Sequence, residues 1–181
     1  MLYYSGAETF LASQTDPQAS IGGFVSSSVV QNDTIANLFP SIPTNAKNSL
    51  IEYRCVILKN TTGAAITGLS AYTTTPTGAQ AAYEIAFTTL SVDSKSQYFA
   101  EAIANKYSKP FAATFTSNEG VINELTVGAL AIDAYFGIWI KRTIDPAVSA
   151  ALYDCTVLDT AYTAGTTLAT EEALVFTLDW D

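Results

Sequence analysis

The run Glu52-Tyr53-Arg54-Cys55-Val56-Ile57-Leu58-Lys59-Asn60 decides how the rest of the chain is read. Its aromatic and branched residues predict a strand over 50–59, apolar on both faces for much of its length. Asn60-Thr61-Thr62-Gly63 supplies the turn that ends it. A second run, Tyr135-Phe136-Gly137-Ile138-Trp139-Ile140-Lys141-Arg142-Thr143, has the same character and lies inside a strand expected over 134–144. These two segments carry Arg54, Lys59, Lys141 and Arg142, half of the 8 basic residues in the chain. A basic residue inside an apolar strand has to be paired or to reach water along its own stem, because an isolated buried charge is too costly.

Outward from these two strands the chain alternates strand and turn. Ile66 to Thr74 is followed by Pro76-Thr77-Gly78, and Tyr83, Ile85 and Phe87 alternate with Glu84, Ala86 and Thr88 as in a half-buried strand. Residues 97–106 are ambiguous, since Tyr98, Phe99, Ala102 and Ile103 also fit one face of a helix, and Lys109-Pro110 breaks the segment. Short strands are expected at Phe111 to Phe115, Ile122 to Leu130, Cys155 to Leu158 and Leu174 to Leu178, with one helical turn over Ala147 to Ala151. Strands at this spacing, without alternating helices, predict an all-β fold: an antiparallel β-sandwich, immunoglobulin-like or jelly-roll-like. Residues 1–49 differ, with Asp16-Pro17, Gly22-Gly23, Pro40 and Pro43 punctuating short apolar pairs. They read as an extended N-terminal arm with short strands, ahead of a sandwich domain over 50–181.

At 181 residues the chain can bury about 70% of its unfolded surface, so its core needs no staples. It is 49% hydrophobic and only 14% charged, and its mean hydropathy is +0.22, a composition that suits a surface partly covered by partners. The net charge of −9 and the scattered Lys and Arg argue against nucleic acid as a partner. No apolar run is long enough to span a bilayer, and the first residues have no basic region of the kind that opens a secretion signal, so folding in a cytoplasm is expected. Cys55 and Cys155 lack metal or redox spacing and read as two free, buried thiols.

With no histidine, the chain has no Ser-His-Asp or Cys-His catalysis and no histidine metal site. Glycosidase chemistry needs two placed acids, and nothing singles out a pair among Glu52, Glu84, Glu101, Asp133 and Asp154. Trp139 fits a core position better than a carbohydrate platform. The sequons at Asn32 and Asn60 and the terminal Asp179-Trp180-Asp181 carry little weight. The candidate interaction residues are Glu52, Arg54, Lys141 and Arg142. Glu52 and Arg54 share a strand face and could meet Lys141, Arg142 or Glu84 across the sheet, either as a polar clasp at a subunit contact or as an ordinary cross-strand pair.

A set of short pieces in a fixed order carries a resemblance. They are Asp16-Pro17-Gln18-Ala19-Ser20-Ile21-Gly22-Gly23, Asn37-Leu38-Phe39, Glu52-Tyr53-Arg54-Cys55 with Lys59-Asn60, Ala102-Ile103-Ala104-Asn105, Pro110, Thr114-Phe115, Leu125, Gly128, and Gly137-Ile138-Trp139-Ile140-Lys141-Arg142-Thr143. Over roughly residues 16–151 the chain resembles a family of small structural proteins of tailed-bacteriophage virions. The resemblance implies a β-sandwich that attaches to a head, collar or tail, with no enzyme activity, no catalytic residues and no cofactor or metal. Implied partners are other virion proteins (capsid, portal or collar, tail) and like chains in a homo-oligomer, with no nucleic acid and no membrane. The implied location is the virion, assembled in the host cytoplasm. A tail or baseplate protein is the nearer alternative. A carbohydrate-binding module for host attachment, using Tyr3, Tyr4, Tyr72 or Trp180, is the more distant one.

Overall fold

The computed structural model describes residues 1–14, 16, 19–30, 38–39, 50–73, 81–95, 97–117, 125–144, 153–164, 167–170 and 174–179, with backbone alone for 81, 125–127 and the strands from 153 onward. Among the described residues twelve strands occur in the order β1 (Leu2–Tyr4), β2 (Gly23–Phe24), β3 (Leu50–Lys59), β4 (Ile66–Thr73), β5 (Ala81–Thr88), β6 (Ser91–Val92), β7 (Tyr98–Ala100), β8 (Leu125–Leu130), β9 (Tyr135–Ile144), β10 (Tyr153–Ala164), β11 (Thr167–Thr170) and β12 (Leu174–Asp179). There is no α-helix among the described residues, and the pairing is antiparallel throughout, so the fold is all-β and compatible with the expected sandwich.

The first sheet runs β1-β3-β9-β5, and the second runs β11-β10-β4-β8, with β12 also on β10. Val56, Leu58, Tyr83, Ile85, Ile138, Ile140 and Ile144 of the first sheet share one apolar core with Ile66, Leu69, Ala71 and Leu130 of the second. Because side chains alternate along a strand, the odd-numbered residues of β3 and β9 point the other way. There Tyr53, Cys55, Ile57 and Trp139 form a second core with Val25, Leu90, Ala100, Ile103 and Ala113. A small sheet, β2-β7-β6, lies on this side. The first sheet is therefore covered on both faces, which is why β3 and β9 are apolar almost without interruption rather than alternating.

The central ladder pairs all ten residues of β3 with β9, from Leu50↔Ile144 to Lys59↔Tyr135. Gly137 has a packing reason for its identity, since a Cβ there would lie 2.5 Å from the Thr88 Cγ2. β1 extends the first sheet along β3, with Leu2 and Tyr4 in the first core, and Ser26 and Val30 donate backbone hydrogen bonds to Tyr4 and Leu2.

Two local expectations change. The 97–106 segment is not a helix: it enters as β7, because β2 and β6 flank it and take up its ladder bonds, and continues as irregular chain. Phe111 to Phe115 is not a strand. Here the Glu101 carboxylate accepts the N–H groups of Phe111 (2.9 Å) and Ala112 (3.4 Å), occupying amides that a ladder would need. Among the described residues, sheet-like contact here is one bridge just past the segment, Ile85↔Thr116. The turn expected over 147–151 lies outside the described residues.

Candidate functional site

Glu52 and Arg142 are direct partners in the β3–β9 ladder, and Arg54 is two residues along the same face. Even-numbered positions of both strands face the second sheet, so these three charges sit at one end of the sandwich interior, each 0% exposed. The Arg142 Nη2 donates to Glu52 Oε2. The Lys106 Nζ reaches the other carboxylate oxygen, Oε1, at 2.6 Å. Lys106 is placed there by its backbone, whose carbonyl accepts the Tyr53 N–H at 2.7 Å along the edge of β3 beyond the end of β1.

Arg54 is held differently. Its Nε donates to the Leu38 carbonyl at 2.7 Å and its Nη1 to the Tyr53 carbonyl at 2.8 Å. Phe39 closes the cluster. The Arg142 and Arg54 guanidinium carbons lie 4.6 and 5.4 Å from its ring centroid, within cation–π range, and its ring meets Tyr83 edge-on at 6.2 Å. Leu38 and Phe39, from the segment read as an arm, thus seal the charged end of the first core.

Burial by itself pushes the Glu52 carboxyl up, but Arg142 and Lys106 outweigh it and hold the group below its ordinary range. Burial and the neighbouring Arg142 pull the Arg54 guanidinium down, against the attraction of Glu52. A carboxylate that is sealed, doubly paired and held ionised has no proton to deliver near neutral pH. What the arrangement does is mechanical: it locks β3 to β9, and the 38–39 and 106 segments to both.

Of the four sequence-predicted residues, Glu52, Arg54 and Arg142 come together and Lys141 does not. Lys141 faces the other side of the sheet and pairs with Glu84, its register partner on β5. The pairing therefore runs between strands of one chain, buried at Glu52–Arg142 and half-exposed at Lys141–Glu84. Sequence reasoning missed Lys106 and Phe39. Neither lies in a periodic segment, and the pairing of 106 alongside β3 has no local signature.

The other candidates also find places. Asp133 pairs with Lys59 at 3.0 Å, and Glu101 braces the 111–112 turn, so the four described acids weighed for a glycosidase pair each have a separate partner; the Asp154 side chain lies outside the described residues. Trp139 is wholly enclosed in the second core. Tyr4 is buried, Tyr3 and Tyr72 are half-buried, and Trp180 lies outside the described residues. Asn60 is buried at the turn after β3, where its Nδ2 approaches the carbonyls of Ala64 (2.8 Å), Leu130 (3.0 Å) and Ala131 (3.0 Å). Asn32 is outside the described residues. Cys55 is a free, buried thiol that burial pushes up to about 12, while the side chain of Cys155 is not among those described. Among the described residues no three His, Cys, Asp or Glu side chains gather as metal ligands, and no helix is long and apolar enough to cross a membrane.

No protein-family model matches the chain, and no curated protein matches it. Among solved structures, a family 123 glycoside hydrolase from Clostridium perfringens, described for glycolipid glycan hydrolysis, aligns with a TM-score of 0.45 at 8% identity. The alignment covers 99% of this chain and 27% of that one.

Proposed function

We propose that this chain is a non-enzymatic structural component of a tailed-phage virion, an accessory or decoration protein of the head or of the head–tail junction. The sequence resemblance supplies the class. The observation that carries the reading is the use made of the strand-borne charges: Glu52, Arg54 and Arg142 are sealed inside the sandwich and joined to one another or to backbone. Groups that would otherwise be available to a substrate are spent on clamping strands. That use suits a protein whose work is to keep its shape while bound to others.

The acidic balance supports an outward position on the particle, since packaged DNA repels it. A place in the tail or baseplate would use the same fold. The test is co-sedimentation of the purified chain with stripped heads and with isolated tails, followed by a particle reconstruction. Saturable binding to heads or necks is expected, and binding to tails alone would move the protein to the tail. A chain that ignores every virion part yet retains a host glycan on an array would overturn the reading in favour of a carbohydrate-binding module.

A further inference from the structure

Within the buried cluster, the charge of Arg54 is met differently from the others. Glu52 carries a single negative charge, and its two carboxylate oxygens go to Arg142 and Lys106. Among the described residues no carboxylate forms an ion pair with Arg54, although its side chain is wholly enclosed. Glu52 and Asp16 attract it only through space, and burial is the largest influence acting on it. A buried lysine can shed its proton, but a guanidinium keeps its charge. Three cations thus share one carboxylate at this end of the sandwich, in a molecule whose net charge is −9.

The contacts that Arg54 does make are to neutral acceptors, and they leave part of its fork unused. Its Nη1 donates to the Tyr53 carbonyl at 2.8 Å and its Nε to the Leu38 carbonyl at 2.7 Å. Its Nη2 is buried and makes no hydrogen bond among the described residues. Nε and Nη2 form one edge of the guanidinium, an edge that can hold two oxygens of a carboxylate, phosphate or sulfate in parallel. One carbonyl oxygen fills one prong of that edge and leaves the other. The strap that supplies this carbonyl, Leu38-Phe39, is held by apolar packing and by the Phe39 ring against Arg54 and Arg142.

We propose that this edge of Arg54 is an oxyanion site, in which a small phosphate, sulfate or carboxylate group binds Nε and Nη2 side by side, with Arg142 as the second cation nearby, and takes the place of the Leu38 carbonyl. The exchange is closely balanced. Drawing the strap back exposes Leu38 and Phe39, which loses apolar burial. It also ends the enclosure of a charge that has no counter-ion, a cost of the same order. The anion supplies two charge-assisted hydrogen bonds where one bond to a neutral carbonyl stood, and so tips the balance. Chloride, a single atom, cannot fill both prongs in parallel. The site does not depend on the virion reading, which stands or falls on particle binding.

The test is thermal unfolding of the full chain in concentration series of potassium phosphate, sulfate and acetate, each matched in ionic strength by potassium chloride. A ligand that binds the native state raises the melting temperature as its concentration rises. The wild type is expected to gain over chloride in at least one series. A gain in phosphate and sulfate marks a tetrahedral group, and a gain in acetate alone marks a carboxylate. Arg54→Lys keeps the charge and loses the fork, and should bind about tenfold or more weakly, the loss of one charge-assisted hydrogen bond. Arg54→Met removes the site and should show no specific gain. Both variants share any general stabilisation by sulfate and phosphate, so their difference from the wild type reports the site. Hydrogen exchange of the wild type needs no variant, and the Leu38 and Phe39 amides should exchange faster in the oxyanion that binds. A gain over chloride equal in the wild type and both folded variants overturns the proposal. So does a wild type with no gain in any series, or exchange at Leu38 and Phe39 that no oxyanion changes.

Discussion

The two ends of the β3–β9 ladder each carry an ion pair, and the pairs are built oppositely. At one end Lys59 meets Asp133, whose side chain is 73% exposed and whose backbone sits at φ 58°. At the other, Glu52 meets Arg142 with neither side chain touching solvent. The first pair lies in high dielectric, and its loss returns two ions to water. The second has been stripped of water, so either charge left alone has nowhere to turn. Pairs of the same chemical kind, one near each end of β3, thus differ in what their removal does, and burial, with Lys106 as the second partner of Glu52, sets the difference.

The sharpest way to break this comparison is Glu52→Gln. It leaves Arg142 in the interior without its carboxylate and should cost about 3–5 kcal/mol in urea unfolding, the range for breaking one side of a buried pair. A loss under about 1 kcal/mol would put the two ends on the same footing. Acid titration should report the same group. A carboxyl whose folded value lies below its unfolded one adds stability that is complete above the unfolded value, and that stability is lost as pH falls through the folded value. The wild type should therefore weaken progressively below about pH 4.3, and the Glu52→Gln variant should show a flatter acid limb when the two unfolding curves are overlaid.

At the open end the largest effect belongs to an uncharged residue. Asn60→Ala leaves the Ala64, Leu130 and Ala131 carbonyls without their shared donor, and about 1–3 kcal/mol should be lost in the same assay. Asp133→Asn removes the Lys59 partner while keeping a residue that tolerates positive φ, and should move stability by no more than about 1 kcal/mol. If raised salt leaves that small difference unchanged, the Lys59 contact is not acting through charge.

The sequence made β3 and β9 plain because both faces of each are buried, and continuous apolar runs follow directly from that. It also marked Glu52, Arg54 and Arg142 as needing partners, since charges inside such runs admit few alternatives. It was silent where tertiary contact overrides local preference. Residues 98–100 become a strand through β2 and β6, which are two residues long and have no pattern of their own. Residues 111–115 have strand-like composition, but the Glu101 carboxylate takes the amides of Phe111 and Ala112, and the Ala113 N–H turns back to the Pro110 carbonyl. Lys106 joins the buried cluster through a backbone bond to Tyr53, 53 positions earlier, and no periodicity encodes that. Lys141 and Arg142, adjacent in sequence, go to opposite faces of the sheet because a strand alternates, and so they serve different pairs.

The span of the central ladder has a consequence for how the molecule is made. Glu52 and Arg142 are 90 residues apart, and every β3–β9 pair closes a long loop before it gains a contact. A topology so dominated by distant pairing folds slowly for its size. During synthesis β1, β2 and β3 emerge first, and β3 then waits, apolar on both faces, until 144 has left the ribosome. In that interval the sticky element is the one that later becomes the best-protected strand. A nascent chain halted before residue 135 is expected to be captured by chaperones or to aggregate, and one released after 144 to escape them.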